Sequence, residues 1–110
     1  MASHFYLKLP EVFAIQKELI YDQNKGLLLD KQTLKPVTKL DHRGGVAKYR
    51  VFVVNGMFPA ERIAWRIATE QDPGNLHIGF RDLNRLNLCF SNLFLTEKKQ
   101  KAFYSRSWGA

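Results

Sequence analysis

Residues 48–68 constrain the fold most, because a strand period and a helical period of apolar residues follow each other there, and a tight turn lies between the two predicted strands. The strand predicted over 48–54 alternates apolar and polar side chains, and Asn55-Gly56 after it is a strong hairpin signal. A returning strand and then a helix complete the unit. The helix is predicted to lay a narrow stripe of apolar side chains on the sheet: Ala60, Ile63, Ala64, Ile67 and Ala68.

The flanking sequence predicts a first helix, further short strands and loops. Pro10 opens the helix, apolar residues follow at helical spacing, and we expect it to end near Tyr21. Residues 22–26 predict a turn with Gly26 at positive φ, and 27–29 predict a short buried strand. Further along the chain we predict a loop or weak hairpin over 31–45 and a helix break at 72–75. A strand at 76–80 and a polar loop at 81–85 follow. The last predicted segments are a short helix or turn at 86–93 and a short apolar segment at 94–95.

Length and composition indicate one domain over 1–110, in which 1–9 is an N-terminal segment and 97–110 is a basic, aromatic tail. No apolar run approaches the roughly 20 residues that a bilayer crossing needs, and the first residues lack the pattern of a secretory signal. We therefore expect a cytoplasmic protein with no membrane partner. Cys89 has no second cysteine for a disulfide or a zinc cage, and its apolar neighbours predict a buried, unreactive thiol.

Positive charge is the strongest compositional signal for function. Seventeen lysines and arginines against ten acidic residues give a net charge of +7, which favours nucleic-acid phosphates and acidic protein surfaces alike, or serves solubility alone. One basic group lies in the middle of the chain and comprises Arg43, Lys48, Arg50, Arg62, Arg66, Arg81 and Arg85, with His42. Another lies in the tail and comprises Lys98, Lys99, Lys101 and Arg106, interleaved with Phe103, Tyr104 and Trp108. The tail is either a nucleic-acid contact surface or a solvated final helix whose aromatic rings dock back on the domain.

A series of short motifs in a fixed order resembles the small phage HNH endonucleases. The motifs are Leu19-Ile20-Tyr21-Asp22 with Gly26, Tyr49-Arg50-Val51, Val54-Asn55-Gly56, Ala60-Glu61-Arg62-Ile63-Ala64-Trp65, Pro73, and the stretch from Arg85-Leu86-Asn87 to Asn92-Leu93. Together they cover about residues 14–102, and their order and spacing are more specific than any one motif. The resemblance implies a degenerate family member with an α+β fold: a ββα-metal (HNH-like) core, an N-terminal helix and small antiparallel strands. In that core a hairpin and a helix frame a cleft that admits nucleic acid.

The resemblance also implies that the nuclease chemistry is lost. In an active member a divalent ion acts as Lewis acid at the scissile phosphate, and a histidine takes a proton from the attacking water. Aligned without a gap from Asn92-Leu93, Gly79 and Phe80 fall where the family carries an Asp-His pair, and neither can bind metal or accept a proton. Three further family positions have changed: Glu61 replaces a histidine, Leu83 replaces a loop glycine, and Leu88-Cys89 replace an Asn-Arg pair. Only Asn92 remains as a ligand candidate, so we predict no catalytic residue, no metal and no cofactor.

The three histidines offer no obvious replacement for the lost base. His77 lies three residues before Phe80, and an odd offset on a strand sends the two side chains to opposite faces. His4 and His42 have no partner at metal-ligand spacing. A plain surface or partly packed histidine is the interpretation favoured for His77.

The acidic and aromatic residues near the inherited cleft have structural interpretations as well. We expect Asp82 to cap a turn and Glu61 to pair at the surface with a neighbouring arginine, Arg62 or Arg66. A metal-binding pair of Asp82 and Glu61 is the less favoured interpretation. Trp65 is expected to anchor the core.

Three functions therefore remain open. The first is an inactive nuclease-like domain that binds nucleic acid through its basic surface. The second is a phage-encoded interaction factor that binds a host protein and inhibits or redirects it, in the cytoplasm of an infected bacterium. The third is a surviving metal-dependent nuclease that uses His77, Asp82 and Asn92 in a rearranged site.

Overall fold

The computed structural model describes residues 8–98, which form a mixed α+β domain with seven strands, all paired antiparallel. The α+β class is thereby confirmed. The helices and strands follow in the order α1 (Val12–Gln16), β1 (Leu19–Asp22), β2 (Leu27–Asp30), β3 (Lys39–Asp41), β4 (Lys48–Val53), β5 (Gly56–Pro59), α2 (Ala60–Thr69), β6 (His77–Phe80) and β7 (Leu93–Thr96). Single 3-10 turns lie at Arg43–Gly45 and Phe90–Asn92. Within this part of the chain, no helix has the length and apolarity to cross a bilayer.

The β4–β5 hairpin and α2 build the centre of the core, as predicted. Val51 and Val53 on β4 and Ile63 on α2 are completely buried. Gly56 pairs with Val53, so the two turn residues are Val54 and Asn55, with φ values of 49° and 60°. The turn therefore starts one residue earlier than the Asn55-Gly56 signal predicted. A two-residue hairpin loop with both residues at positive φ matches the twist of its strands, even though a β-branched valine is unfavourable there.

The first helix is shorter than predicted, because it ends at Gln16 and the chain then enters β1. Leu19 and Tyr21 are buried while Ile20 is exposed, which is the alternation of a strand. Leu19 also lies four residues after the buried Ile15, so its position satisfies both a helical and a strand period. The pairing of β1 with β2 decides between them.

Two other segments differ from the predictions in detail. The region predicted as a loop or weak hairpin contains β3, which pairs with β4. The second helix ends at Thr69, before the expected break, because Glu70 takes a left-handed conformation at φ 63°. Residues 86–93, predicted as a short helix or turn, contain a 3-10 turn at Phe90–Asn92, which agrees with the second alternative. Trp65 is half-buried and packs on Phe90 with ring centroids 5.3 Å apart, which agrees with its predicted role in packing.

The β1–β2 turn docks on the segment around Leu88. The Phe90 N–H donates to the carbonyl of Gln23 (3.1 Å), and Tyr21 Oη donates to the carbonyl of Leu88. Cys89 is half-buried, with its Sγ 3.2 Å from the Asn24 carbonyl. It is therefore less enclosed than the buried thiol predicted from its neighbours.

Tyr21 is expected to make stability depend on pH in the alkaline range. Burial raises the pKa of Tyr21 above its ordinary value of 10.0, and the nearby charges of Cys89 and Asp22 act in the same direction. A group with a raised native pKa stabilises the fold fully below its unfolded pKa, and this contribution is lost as pH rises through the folded value. We expect Tyr21→Phe to cost about 1–3 kcal/mol near neutral pH, because the Leu88 carbonyl loses its donor.

Urea unfolding of both proteins at about pH 8 and about pH 11 measures this contribution. The wild type should lose more stability between the two values than Tyr21→Phe loses. Equal losses in the two proteins would contradict the assignment to Tyr21.

Candidate nucleic-acid interface

The strands β6 and β7 form a hairpin that contains Gly79 and Phe80, the two positions that the HNH resemblance aligns with an Asp-His pair. Phe80, paired with Leu93, is 1% exposed and belongs to the core. A Cβ added to Gly79 would lie 2.4 Å from Cζ of Phe94, so the Phe94 ring occupies the space that a side chain would need. His77 is exposed, whereas Phe80 is buried, as the strand alternation predicted. A histidine at position 80 would therefore point into the core of this fold.

The loop after β6 is held by a reciprocal contact between Asp82 and Asn92. Asn92 Nδ2 donates to Asp82 Oδ1 (2.9 Å), and the Asp82 N–H donates to Asn92 Oδ1 (3.0 Å). Asp82 also accepts bonds from Asn87 Nδ2 (2.9 Å) and the Asn84 N–H (2.8 Å), so its predicted turn-capping role is confirmed. These donors, the Asn87 amide first, lower the pKa of Asp82. Asn92 is 7% exposed, and its amide group is engaged in holding the loop.

Of the three side chains proposed for a rearranged metal site, Asp82 and Asn92 lie together. Between residues 8 and 98, no group of three or more His, Cys, Asp or Glu side chains lies close enough to hold a metal ion. Asp82 and Asn92 contact each other, and His77 is not among their hydrogen-bond partners. His42 is exposed, and His4 lies outside the described residues.

Three cations from three different elements act on one half-buried carboxylate, that of Glu61 in the first turn of α2. Burial raises the pKa of Glu61, while its own backbone N–H and the charges of Arg85, Lys48 and Arg62 oppose the rise. We call Lys48, Arg62 and Arg85 around Glu61 the basic cluster. The tertiary fold brings them together, since they lie on β4, on α2 and in the loop after β6.

The predicted pairing of Glu61 with Arg62 or Arg66 is wrong. Ion pairs in the described part of the chain include Asp41 with Arg43, Asp41 with Arg50, and Glu11 with Arg66. Arg62 instead donates to the carbonyls of Leu76 (2.9 Å) and Gly74 (2.8 Å). Glu61 therefore lies among the cations of the cluster without an ion pair to Arg62 or Arg66.

An open groove of about 450 Å³ lies beside Arg85, one of the three cations of the basic cluster. One side is formed by residues 45–47, just before β4, and the other by the loop over residues 82–86, which includes Asp82. Arg85 lines the groove, and its guanidinium lies 5.8 Å from the centre of the Phe80 ring. The groove and the cluster together make a concave surface where a phosphate can meet positive charge.

The other predicted basic residues are distributed between structural contacts and the surface. Arg66 donates to the Pro10 carbonyl (3.2 Å) and pairs with Glu11 (3.6 Å), so it fastens α2 to the start of α1. Arg81 lies over the Phe94 ring at 5.2 Å and donates to the Ser91 carbonyl. Lys98 is exposed at the end of the described chain. The tail residues Lys99, Lys101 and Arg106, with their interleaved aromatics, lie outside the described residues.

Two exposed residues on the three-stranded sheet were not selected by sequence reasoning. Lys39 was missed because β3 was not predicted. The sequence does indicate that Phe52 is exposed, because a period of two places it on the same face of β4 as Lys48 and Arg50, opposite the core valines. The same alternation predicts a strand and, by itself, no binding role for Phe52.

The comparisons with known proteins add no family assignment. No family model matches the chain, and no curated protein or solved structure is significantly similar to it.

Proposed function

We propose that this chain is a degenerate HNH-like domain of phage origin that binds nucleic acid and does not cut it. The observation that carries the proposal is the convergence of Lys48, Arg62 and Arg85 on Glu61, with Arg85 also lining an open groove. Phosphate backbones supply most of the affinity of such surfaces through release of counterions. The groove would hold the phosphates, and the loop locked by Asp82 and Asn92 would form one rigid wall.

The proposed loss of cutting is supported by the residues at the two catalytic positions. An aromatic ring has no lone pair with which to deprotonate water, and Phe80 is turned into the core. Gly79 has no side chain, and the Phe94 ring fills its place. The β6–β7 hairpin and its polar connection support the finer proposal of a ββα-metal core.

Removal of one charge from the basic cluster should weaken binding and make the affinity less dependent on salt concentration. We expect Lys48→Gln to lower the affinity for a short DNA duplex and to reduce the slope of log K against log salt by about one, because one phosphate contact is lost. The matched control is Lys25→Gln, which removes the same charge from an exposed side chain in the β1–β2 turn. It should leave the slope unchanged.

Fluorescence anisotropy at several salt concentrations measures both quantities for the three proteins. Absence of wild-type binding to both the duplex and a single strand of the same length at low salt would overturn the proposed function. Equal effects of Lys48→Gln and Lys25→Gln would remove the basic cluster from it.

A further inference from the structure

The outward side of the β3–β4–β5 sheet carries an exposed aromatic ring among cations. We call this surface, formed by Lys39, Lys48, Arg50, Phe52 and Met57, the outer sheet face. Val51 and Val53 are completely buried, whereas Phe52 between them is 56% exposed and its cross-strand partner Met57 is 41% exposed. The ring of Phe52 therefore contributes little to the core and is available to a partner.

Lys39 and Arg50 on this face are direct cross-strand partners, and like charges in that position repel. Asp41, the cross-strand partner of Lys48, lies on the same face. Its carboxylate is engaged mainly by Arg43, whose Nε lies 3.1 Å and 3.3 Å from its two oxygens and whose Nη2 lies 3.1 Å from Oδ2. Arg50 reaches Asp41 only at 3.9 Å. Asp41 therefore neutralises little of the repulsion between Lys39 and Arg50. A polyanion bound to both side chains would relieve that repulsion.

We propose that the outer sheet face binds single-stranded nucleic acid, with a base stacked on Phe52 and phosphates on Lys39 and Arg50. The inference rests on the proposed function and adds the strandedness of the ligand and the surface that selects it. Stacking on a protein ring requires an unstacked base, which a duplex does not offer. Lys48 belongs both to this face and to the basic cluster, so a strand held in the groove continues along β4 onto Phe52.

Phe52→Leu tests stacking directly, because it keeps an apolar side chain and removes the flat ring. The probes are a labelled oligothymidine and a duplex of the same length. We expect Phe52→Leu to weaken binding of the oligothymidine roughly 5- to 100-fold and to leave duplex binding unchanged, whereas Phe52→Tyr keeps the wild-type affinity. The matched control is Phe13→Leu on α1, since Phe13 is 59% exposed and has Lys17 over its ring at 5.7 Å.

The outcomes separate this inference from the proposed function. Loss of oligothymidine binding in Phe52→Leu, with retention in Phe52→Tyr and Phe13→Leu, supports the stacking surface. Unchanged binding in Phe52→Leu, or duplex preferred to single strand by the wild type, overturns the outer sheet face and leaves the proposed function standing. Failure of the wild type to bind either probe at low salt overturns both. Thermal unfolding of each variant confirms that the comparison is between folded proteins.

Discussion

Gly26→Ala is expected to lower the free energy of unfolding by about 2–4 kcal/mol, a large part of the stability of a small domain. A Cβ at this position would lie 2.6 Å from the backbone nitrogen of Cys89 and 2.9 Å from the carbonyl carbon of Leu88. Both neighbours are backbone atoms, so no side-chain rotation can relieve the overlap. The φ of Gly26 is +68°, which adds the ordinary cost of a left-handed alanine.

Gly74→Ala separates the two contributions. Gly74 has nearly the same φ, +64°, but a Cβ there would meet nothing within 4 Å. Gly74→Ala should therefore lower the free energy of unfolding by about 1 kcal/mol, which is the conformational contribution alone. Urea unfolding of the two variants gives the difference, and equal costs would show that the β1–β2 turn can move away from residues 88 and 89.

Phe80→His is expected to destabilise the protein by about 3 kcal/mol or more without giving nuclease activity. Phe80 is 1% exposed, so the change removes apolar contacts and places the polar atoms of an imidazole in the core. The substitution restores the residue type that the HNH resemblance implies for a general base. The side chain at position 80 packs in the core, however, where it cannot reach an attacking water.

Phe80→Leu is the control for lost volume, and we expect it to cost about 1–2 kcal/mol because the site stays apolar. Urea unfolding compares the variants, and plasmid nicking with magnesium or manganese, against wild-type protein purified in parallel, reports activity. Nicking by Phe80→His above that background would contradict the proposed inert scaffold. Equal stability of the two variants would contradict the polar-burial argument.

The central part of the fold was predictable because its local signals agree with its tertiary contacts. The alternation on β4, the hairpin and the stripe of α2 each specify one conformation, and the core joins them through Val51 and Ile63. The turn position was wrong by one residue because Val54 tolerates a positive φ that its side chain disfavours. The first helix was predicted too long because Leu19 satisfies both periods, and only its pairing with Asp30 on β2 selects the strand.

The candidate site was predictable in its residue types and less so in its geometry. Lys48 and Arg85 were predicted as binding residues, but 37 positions separate them in the sequence and only the fold brings both to Glu61. Arg62 and Arg66 were predicted alongside them, and the structure gives their guanidinium groups backbone carbonyls as partners. No local pattern distinguishes a guanidinium that binds phosphate from one that bonds to a distant carbonyl.

The sequence by itself determined the α+β class, the β4–β5 hairpin with α2, the turn at Gly26 and the absence of acidic or imidazole groups at positions 79 and 80. These features depend on residue identity and short periods, which are visible without coordinates. The tertiary structure alone decided that Phe94 covers Gly79, that Glu61 lies among three cations, and that Phe52 stands exposed beside Lys39 and Arg50. Those relations join residues far apart in the chain, and they exist only after strand pairing and core packing have fixed which faces meet.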